Sequence, residues 1–200
     1  MKNRFLLWMA AWMLGTLTLQ GQPEKFDQIL YGVAYYHEYM PTDRLDEDIR
    51  MMKEAGISVV RVGESTWSLF EPKNGTFEFG WMDRIIDKMH EAGIKVILGT
   101  PTYSIPAWMW HQHPDILLTY QKGGKAYYGI RQNVNYTDPD FLFYAERIIR
   151  KMMEHYAKHP AIIGYQVDNE TTPRDINNDN FQAMFRNHLK EKFGTVEALN

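Results

Sequence analysis

Cysteine is absent from all 200 residues of the chain. This absence excludes disulfide bonds, thiolate metal sites and lipid attachment through an N-terminal cysteine. The chain also lacks a strong excess of either charge, because its formal net charge is only −3 and its lysines and arginines are dispersed. A nucleic-acid partner would require a basic patch, so we expect none.

Metal-binding histidine patterns are also scarce. Two of the seven histidines, His111 and His113, lie close together in WHQHPD, where Pro114 follows. Because proline interrupts helices, this segment predicts a helix end or a loop rather than a metal site. We therefore expect neither a metal ion nor a cofactor.

A long apolar run occurs at the N-terminus. FLLWMAAWMLGTLTL lies between the basic start MKNR and the polar segment QGQPEKFDQ. This order predicts a signal peptide at residues 1–21 and a mature chain of residues 22–200. The alternative is an uncleaved membrane anchor, although the run is short for a full span. Both interpretations place the mature part in the periplasm or outside the cell, and cleavage would leave no stable membrane partner.

Aromatic residues are abundant, at 14% of the chain. Most aromatic side chains belong to hydrophobic cores, and that is the favoured interpretation for any single one. Several of them nevertheless fall in predicted loops, such as PTYSIPAWMWHQHPD. Loops of this composition also suit the flat apolar faces of sugar rings.

The remainder of the chain repeats one pattern, in which an apolar strand is followed by a helix. The predicted strands are residues 29–36, 57–62, 94–100 and 161–167. KEAGISVVRV and HEAGIKVILG are near copies of one helix–turn–strand module. Long loops after strands and short loops after helices predict an α/β fold of the (β/α)8 (TIM) barrel type. A doubly wound sheet is the alternative, but YYHEYMP lacks the glycine-rich turn that it would need.

The number of strands predicts only part of such a barrel. A complete barrel needs roughly 200 to 250 residues, whereas residues 22–200 supply four strands. We therefore expect these residues to be the N-terminal half of a barrel that is truncated within a longer protein.

Polar residues follow each predicted strand and should converge at one end of the sheet. They are Tyr35, His37 and Glu38; Gly63 and Glu64; Thr100, Pro101 and Tyr103; and Asp168, Asn169 and Glu170. Carboxylates, an amide and aromatic rings together fit a neutral, polyhydroxylated substrate. Glycoside hydrolysis needs two carboxyl groups, of which one donates a proton.

The residues alone leave the role of these acids open. Glu170 is the candidate proton donor, or else an acid that begins the next helix and complements its dipole. We interpret Glu64 as a buried structural carboxylate bound to Arg61 or Arg131. Asp168 is interpreted in the same way, as a supporting acid.

Several motifs in order resemble glycoside hydrolase family 42, the β-galactosidases. They are the long segment from YGVAYYHEYMP to VILGTPT, then PAW, HPDIL, YGIRQN and HPAIIGYQVDNE. The resemblance covers nearly everything from Ile29 to Glu170. It implies a (β/α)8 barrel that hydrolyses terminal non-reducing β-D-galactose with retention. It also implies a β-galactoside or galacto-oligosaccharide substrate and a possible homo-oligomer.

The resemblance also implies roles for three residues. Glu170 matches the acid/base, Asn169 the sugar-binding amide before it, and Arg131 an arginine that contacts the galactosyl unit. The nucleophilic glutamate of the family would lie beyond Asn200, so the 200-residue chain alone is expected to be inactive.

Two departures from the family pattern stand out. Asn135 replaces a cysteine that belongs to a zinc cluster in many members, which agrees with the expectation of no metal. YYHEYMP replaces the usual YYPEQWP, which puts the aglycone preference in question.

Two other functions remain open at the level of sequence. One is a related barrel glycosidase that acts on another sugar, such as an arabinoside or a fucoside. The other is a non-catalytic carbohydrate-binding fragment.

The N-terminal pattern gives a prediction about processing. The basic, apolar and polar order predicts that the exported protein begins near Gln22. N-terminal sequencing of the exported protein tests this, and a mature chain that still contained Lys2 would contradict it.

Overall fold

The computed structural model describes residues 29–129, 131, 133–170 and 175–200, so the predicted signal peptide lies outside the described residues. Four strands form one parallel sheet in the order β1–β2–β3–β4. They are Gly32–Ala34, Val59–Val62, Lys95–Gly99 and Ile162–Gln166. The helices are α1 Leu45–Glu54, α2 Trp67–Phe70, α3 Gly80–Glu91, α4 Ala107–Gln112, α5 Pro139–Tyr156, α6 Asp179–Phe193 and α7 Val196–Leu199. Short 3-10 turns occupy His37–Tyr39, Thr42–Arg44, Pro101–Tyr103 and Pro114–Ile116.

The repeated EAG module ends α1 and α3 in the same way. Gly56 and Gly93 both have a φ of 75°, a left-handed conformation that favours glycine. The next residue then bonds back to the helix, from Ile57 N to Met52 O at 2.9 Å and from Ile94 N to Met89 O at 2.8 Å. This turn reverses the chain directly into the next strand, which is why the connections after helices are short.

One face of the sheet forms the hydrophobic core with the helices. Val60, Val62, Val96 and Leu98 alternate along β2 and β3 and are buried. Burying each aliphatic side chain stabilises the fold by roughly 1.5–3 kcal/mol, which compensates for the shortness of the strands. The helical members of this core include Ile49, Met52, Ile85, Ile86, Met89, Ile148 and Met152.

The predicted strand–helix repetition and parallel sheet are confirmed, and the four strand ends all point in one direction. The fold is that of the first four β/α units of a (β/α)8 barrel. WHQHPD is a helix end, as predicted, because α4 stops at Gln112. None of the described helices is long and apolar enough to cross a membrane.

Some predicted boundaries are wrong. The first strand covers only Gly32–Ala34 rather than residues 29–36. The long loops also contain two short helices, α2 and α4, that were not predicted. Apolar segments of the sequence predict where the strands lie, but they do not predict the residue at which hydrogen-bonded strand pairing ends.

Candidate active site

Glu64 lies at the end of β2, and its carboxylate is buried with only 2% of the residue exposed. The Tyr36 hydroxyl donates to Glu64 Oε1 at 2.6 Å. Arg61 Nη2 lies 2.9 Å from Glu64 Oε2 as an ion pair, although the two groups are not aligned as a hydrogen bond. Arg131 Nη1 is 3.9 Å from Oε1. The predicted pairing of Glu64 with Arg61 or Arg131 is therefore present with both arginines.

Arg61 connects this carboxylate to the end of β4. Its Nη2 donates to the Tyr36 hydroxyl at 2.8 Å, and its Nη1 donates to Asn169 Oδ1 at 3.2 Å. Asn169 Oδ1 also accepts from Gln166 Nε2 at 2.9 Å. Because two donors fix the oxygen, the amide of the buried Asn169 has a defined orientation in which its NH2 group points away from them.

Tyr103 contacts all three predicted site residues. Its hydroxyl donates to Glu170 Oε2 at 3.0 Å, and the Arg131 guanidinium lies over its ring at 4.7 Å from the centroid. Burial raises the pKa of Tyr103, and the bond to Glu170 raises it further, while Arg131 and a hydrogen bond with Asn169 act in the opposite direction. The phenol is therefore a protonated donor at neutral pH.

Glu170 has an unusual backbone conformation. Its φ of 47° is the only positive value at a non-glycine residue among those described. Such conformations cost about 1–3 kcal/mol and persist where surrounding contacts enforce them, often at functional sites. The hydrogen bond from the Tyr103 hydroxyl to Glu170 Oε2 is a contact of this kind.

Not all the predicted strand-end residues face this site. The Tyr35 hydroxyl donates to Asp48 Oδ2 in α1 at 2.9 Å and lies 3.1 Å from His37 Nδ1. Arg84 Nη2 lies 3.0 Å from His37 Nε2. Burial and then the positive charge of Arg84 lower the pKa of His37. The placement of Tyr35 and His37 in the cleft was wrong, because Tyr36 is the residue that points there.

The Glu38 side chain lies close to the site, but the sequence analysis assigned no role to it. Burial raises its pKa, and the negative charge of Glu64 raises it further against an opposing backbone hydrogen bond. Its Oε1 atom is buried and has no hydrogen-bond partner among the described residues. Glu38 therefore lies near the Glu64 carboxylate, as its predicted position at the strand end requires.

Asn135, which replaces the cysteine of the resembled family, makes amide hydrogen bonds. Its Nδ2 donates to Asn180 Oδ1 at 2.7 Å, and its Oδ1 accepts from the Thr137 hydroxyl at 2.8 Å. Within the described part of the chain, no three histidine, aspartate or glutamate residues are grouped as metal ligands. The residues around Asn135 do not fit a zinc cluster.

Sequence reasoning missed Tyr36 and Gln166. It placed Tyr103 at the strand ends without a specific role, and it considered Arg61 only as a partner of Glu64. Side chains alternate in extended segments, so this alternation could have shown that Tyr35 and Tyr36 point in opposite directions, although β1 itself ends at Ala34. No comparable signal identifies the contact that Tyr103 makes, because Tyr103 lies in a turn after β3 and reaches Glu170 across 67 positions of the chain.

The fold and the strand-end cluster define a barrel protein whose polar site lies at the C-terminal ends of its strands. The model of glycoside hydrolase family 42, described as beta-galactosidase, matches residues 34–200, and the chain belongs to this family. It is 39% identical over 174 residues to a beta-galactosidase of Thermus thermophilus, with 86% of this chain and 27% of the relative covered. It is 36% identical over 169 residues to beta-galactosidase BgaA of Clostridium cellulovorans, with 84% and 26% covered.

Solved structures agree with this assignment. The beta-galactosidase of the psychrophilic Marinomonas ef1 superposes with a TM-score of 0.79 at 39% identity, covering 86% of this chain and 27% of that one. The cold-adapted beta-galactosidase of Rahnella sp. R3 superposes with a TM-score of 0.83 at 35% identity, covering 89% and 26%. The chain thus spans about a quarter of the length of the relatives it matches.

The close approach of β3 to Glu64 gives a prediction about stability. A Cβ atom added at Gly99 would lie 3.0 Å from Glu64 Cα and 3.1 Å from Glu64 N, so Gly99→Ala must displace the backbone of Glu64. We expect its free energy of unfolding to fall by about 1–3 kcal/mol, the usual cost of overpacking.

Gly164→Ala is the matched control. Gly164 pairs with Ile97 and so lies on the same face of the sheet as Gly99, but a Cβ there meets nothing within 4 Å. Thermal or denaturant unfolding of both variants tests the prediction. Equal stability of the two would show that the Glu64 backbone tolerates the added methyl group.

Proposed function

We propose that the protein, at its full length, is a retaining β-galactosidase that removes terminal non-reducing β-D-galactose from β-galactosides. One observation carries the proposal: Glu170, Asn169 and Arg131 gather around Tyr103 at the C-terminal ends of parallel strands. In barrels of this type the active site lies at that end. The names of the relatives, all beta-galactosidases, favour galactosides over the arabinosides and fucosides considered above.

Glu170 is proposed to act as the acid and then as the base. In the first step a nucleophilic carboxylate attacks the anomeric carbon while Glu170 donates its proton to the leaving glycosidic oxygen. In the second step Glu170 takes a proton from water, which attacks the same carbon and releases galactose. The second carboxylate has no match among residues 29–200, so the proposal assigns it to the rest of the barrel.

Arg131 and Asn169 are proposed to bind the galactosyl unit. About half of the Arg131 side chain, 49%, is exposed, so its guanidinium can still donate to sugar hydroxyls while it lies on Tyr103. The Asn169 oxygen already accepts from Arg61 and Gln166. Its NH2 group forms the hydrogen bond with Tyr103 and has two N–H donors, of which the second is proposed to donate to a sugar hydroxyl.

Export and homo-oligomer formation are also proposed, each from one observation on the sequence. The signal-peptide pattern supports a periplasmic or extracellular location, and the resemblance supports a possible homo-oligomer. A panel of nitrophenyl glycosides with the full-length protein would separate a galactosidase from a related glycosidase. Sugar binding without turnover of any of them would instead favour the carbohydrate-binding alternative.

Glu170→Gln in the full-length protein tests the assigned acid/base. Hydrolysis of galactosides with poor leaving groups should fall by about 10²- to 10⁴-fold, the usual contribution of general acid–base catalysis. Activated aryl galactosides should lose less in the first step, and added azide should restore turnover because it attacks without needing a base. Glu146→Gln, on the exposed side of α5, is the control. Normal hydrolysis by Glu170→Gln would refute the role.

Arg131→Ala tests the proposed galactosyl contact. A hydrogen bond to a charged group contributes about 1.5–3 kcal/mol, so kcat/KM should fall by roughly 10²-fold. Arg150→Ala is the matched control, because Arg150 forms an exposed ion pair with Glu146 on α5. Steady-state kinetics with lactose compare the two, and wild-type values for Arg131→Ala would exclude the contact.

A further inference from the structure

The Tyr103 side chain occupies a central position among residues that bind or react in the proposed function. Only 5% of it is exposed. Its hydroxyl lies 3.0 Å from Glu170 Oε2, and the Arg131 guanidinium carbon lies 4.7 Å from its ring centroid. Tyr103 also forms a hydrogen bond with Asn169.

The backbone around Tyr103 is fixed relative to Glu170. The turn Pro101–Tyr103 begins immediately after Thr100, whose amide donates to Gln166 O at 2.9 Å and whose hydroxyl donates to Val167 O at 3.0 Å. Proline at the start of the turn restricts φ. The turn and the end of β4 are thus joined by two hydrogen bonds, and the Tyr103 hydroxyl reaches Glu170 from a rigid base.

We infer that Tyr103 is a positioning residue that sets the orientation of the Glu170 carboxylate and provides the surface on which Arg131 lies. The inference rests on the proposed function and deepens it. The hydroxyl acts on Glu170, and the ring acts on Arg131. These two effects belong to different atoms of one side chain and can be separated by substitution.

The hydroxyl determines how well the carboxyl group of Glu170 reaches the leaving oxygen. Proton transfer requires close approach and alignment with that oxygen. A bond from Tyr103 to Oε2 leaves the carboxyl group one orientation instead of several, at a residue whose backbone is already constrained at a φ of 47°. Loss of the hydroxyl should therefore matter only when the leaving group needs a proton.

Two galactosides that share the galactosyl unit measure this effect in the full-length protein. Methyl β-galactoside needs protonation of its leaving oxygen, and dinitrophenyl β-galactoside does not. Because changes in galactosyl binding cancel, the diagnostic quantity is the ratio of their kcat/KM values. In Tyr103→Phe, kcat/KM for methyl galactoside should fall about tenfold relative to kcat/KM for dinitrophenyl galactoside. This loss is a fraction of the full contribution of general acid catalysis. An unchanged ratio would overturn the inference.

Tyr103→Leu separates the ring from the hydroxyl. Phenylalanine keeps the cation–π contact with Arg131, whereas leucine removes it, so the inhibition constant for galactose should rise about threefold further in Tyr103→Leu. Equal constants in the two variants would overturn the part that concerns Arg131. If Tyr103→Leu does not fold, removal of the Arg131 side chain should cost wild type and Tyr103→Phe the same affinity for galactose, because both keep the ring. A smaller loss in Tyr103→Phe would overturn the assignment of the Arg131 contact to the ring.

Two controls complete the test. Tyr31→Phe changes an exposed tyrosine before β1 and should leave the ratio at its wild-type value. Glu170→Gln distinguishes the two levels of the argument. If Glu170→Gln is inactive on methyl galactoside while Tyr103→Phe keeps the wild-type ratio, only the inference about Tyr103 fails. If Glu170→Gln keeps full activity, the proposed function fails.

Discussion

The buried carboxylate of Glu64 is the constraint on which the rest of the site depends. Removing a charge from water costs several kcal/mol unless opposite charge and hydrogen bonds replace the lost solvation. Arg61 and Tyr36 supply this compensation, and the more distant Arg131 adds to it. Breaking such a pair by removing one partner typically costs about 3–5 kcal/mol. The strand ends are therefore held together by electrostatics at a point where the hydrophobic core has ended.

This constraint also explains the geometry of β2 and β3. Gly99 allows the backbone of Glu64 to lie against β3, so the carboxylate enters the sheet instead of turning outward. Arg61, on β2, then reaches Asn169 at the end of β4. Through Glu64 and Arg61 the amide of Asn169 is oriented by groups two strands away. A site assembled from separate strands thereby gains a fixed arrangement through ion pairs and hydrogen bonds.

Strands and helices could be predicted from the sequence better than the side-chain contacts at the site. Apolar runs and the repeated EAG module predict the four parallel strands, because local periodicity and glycine turns are encoded within a few residues. Motifs likewise place Glu170, Asn169 and Arg131 near one another. The choice between Tyr35 and Tyr36 failed because the two are adjacent and chemically identical, and they differ only in the direction in which each side chain points just beyond β1. Tyr103 could not be assigned, since its partners are distant in the chain.

Tyrosine, rather than phenylalanine, serves at these strand ends for a common physical reason. Tyr35 donates to Asp48, Tyr36 to Glu64 and Tyr103 to Glu170. Each ring contributes apolar area at the edge of the core, and each hydroxyl supplies a donor that a partly buried carboxylate requires. In all three, burial raises the phenol pKa and so keeps the proton on the donor at neutral pH. Part of the high aromatic content of the chain is thus explained by the carboxylates that it encloses, and not by the hydrophobic core alone.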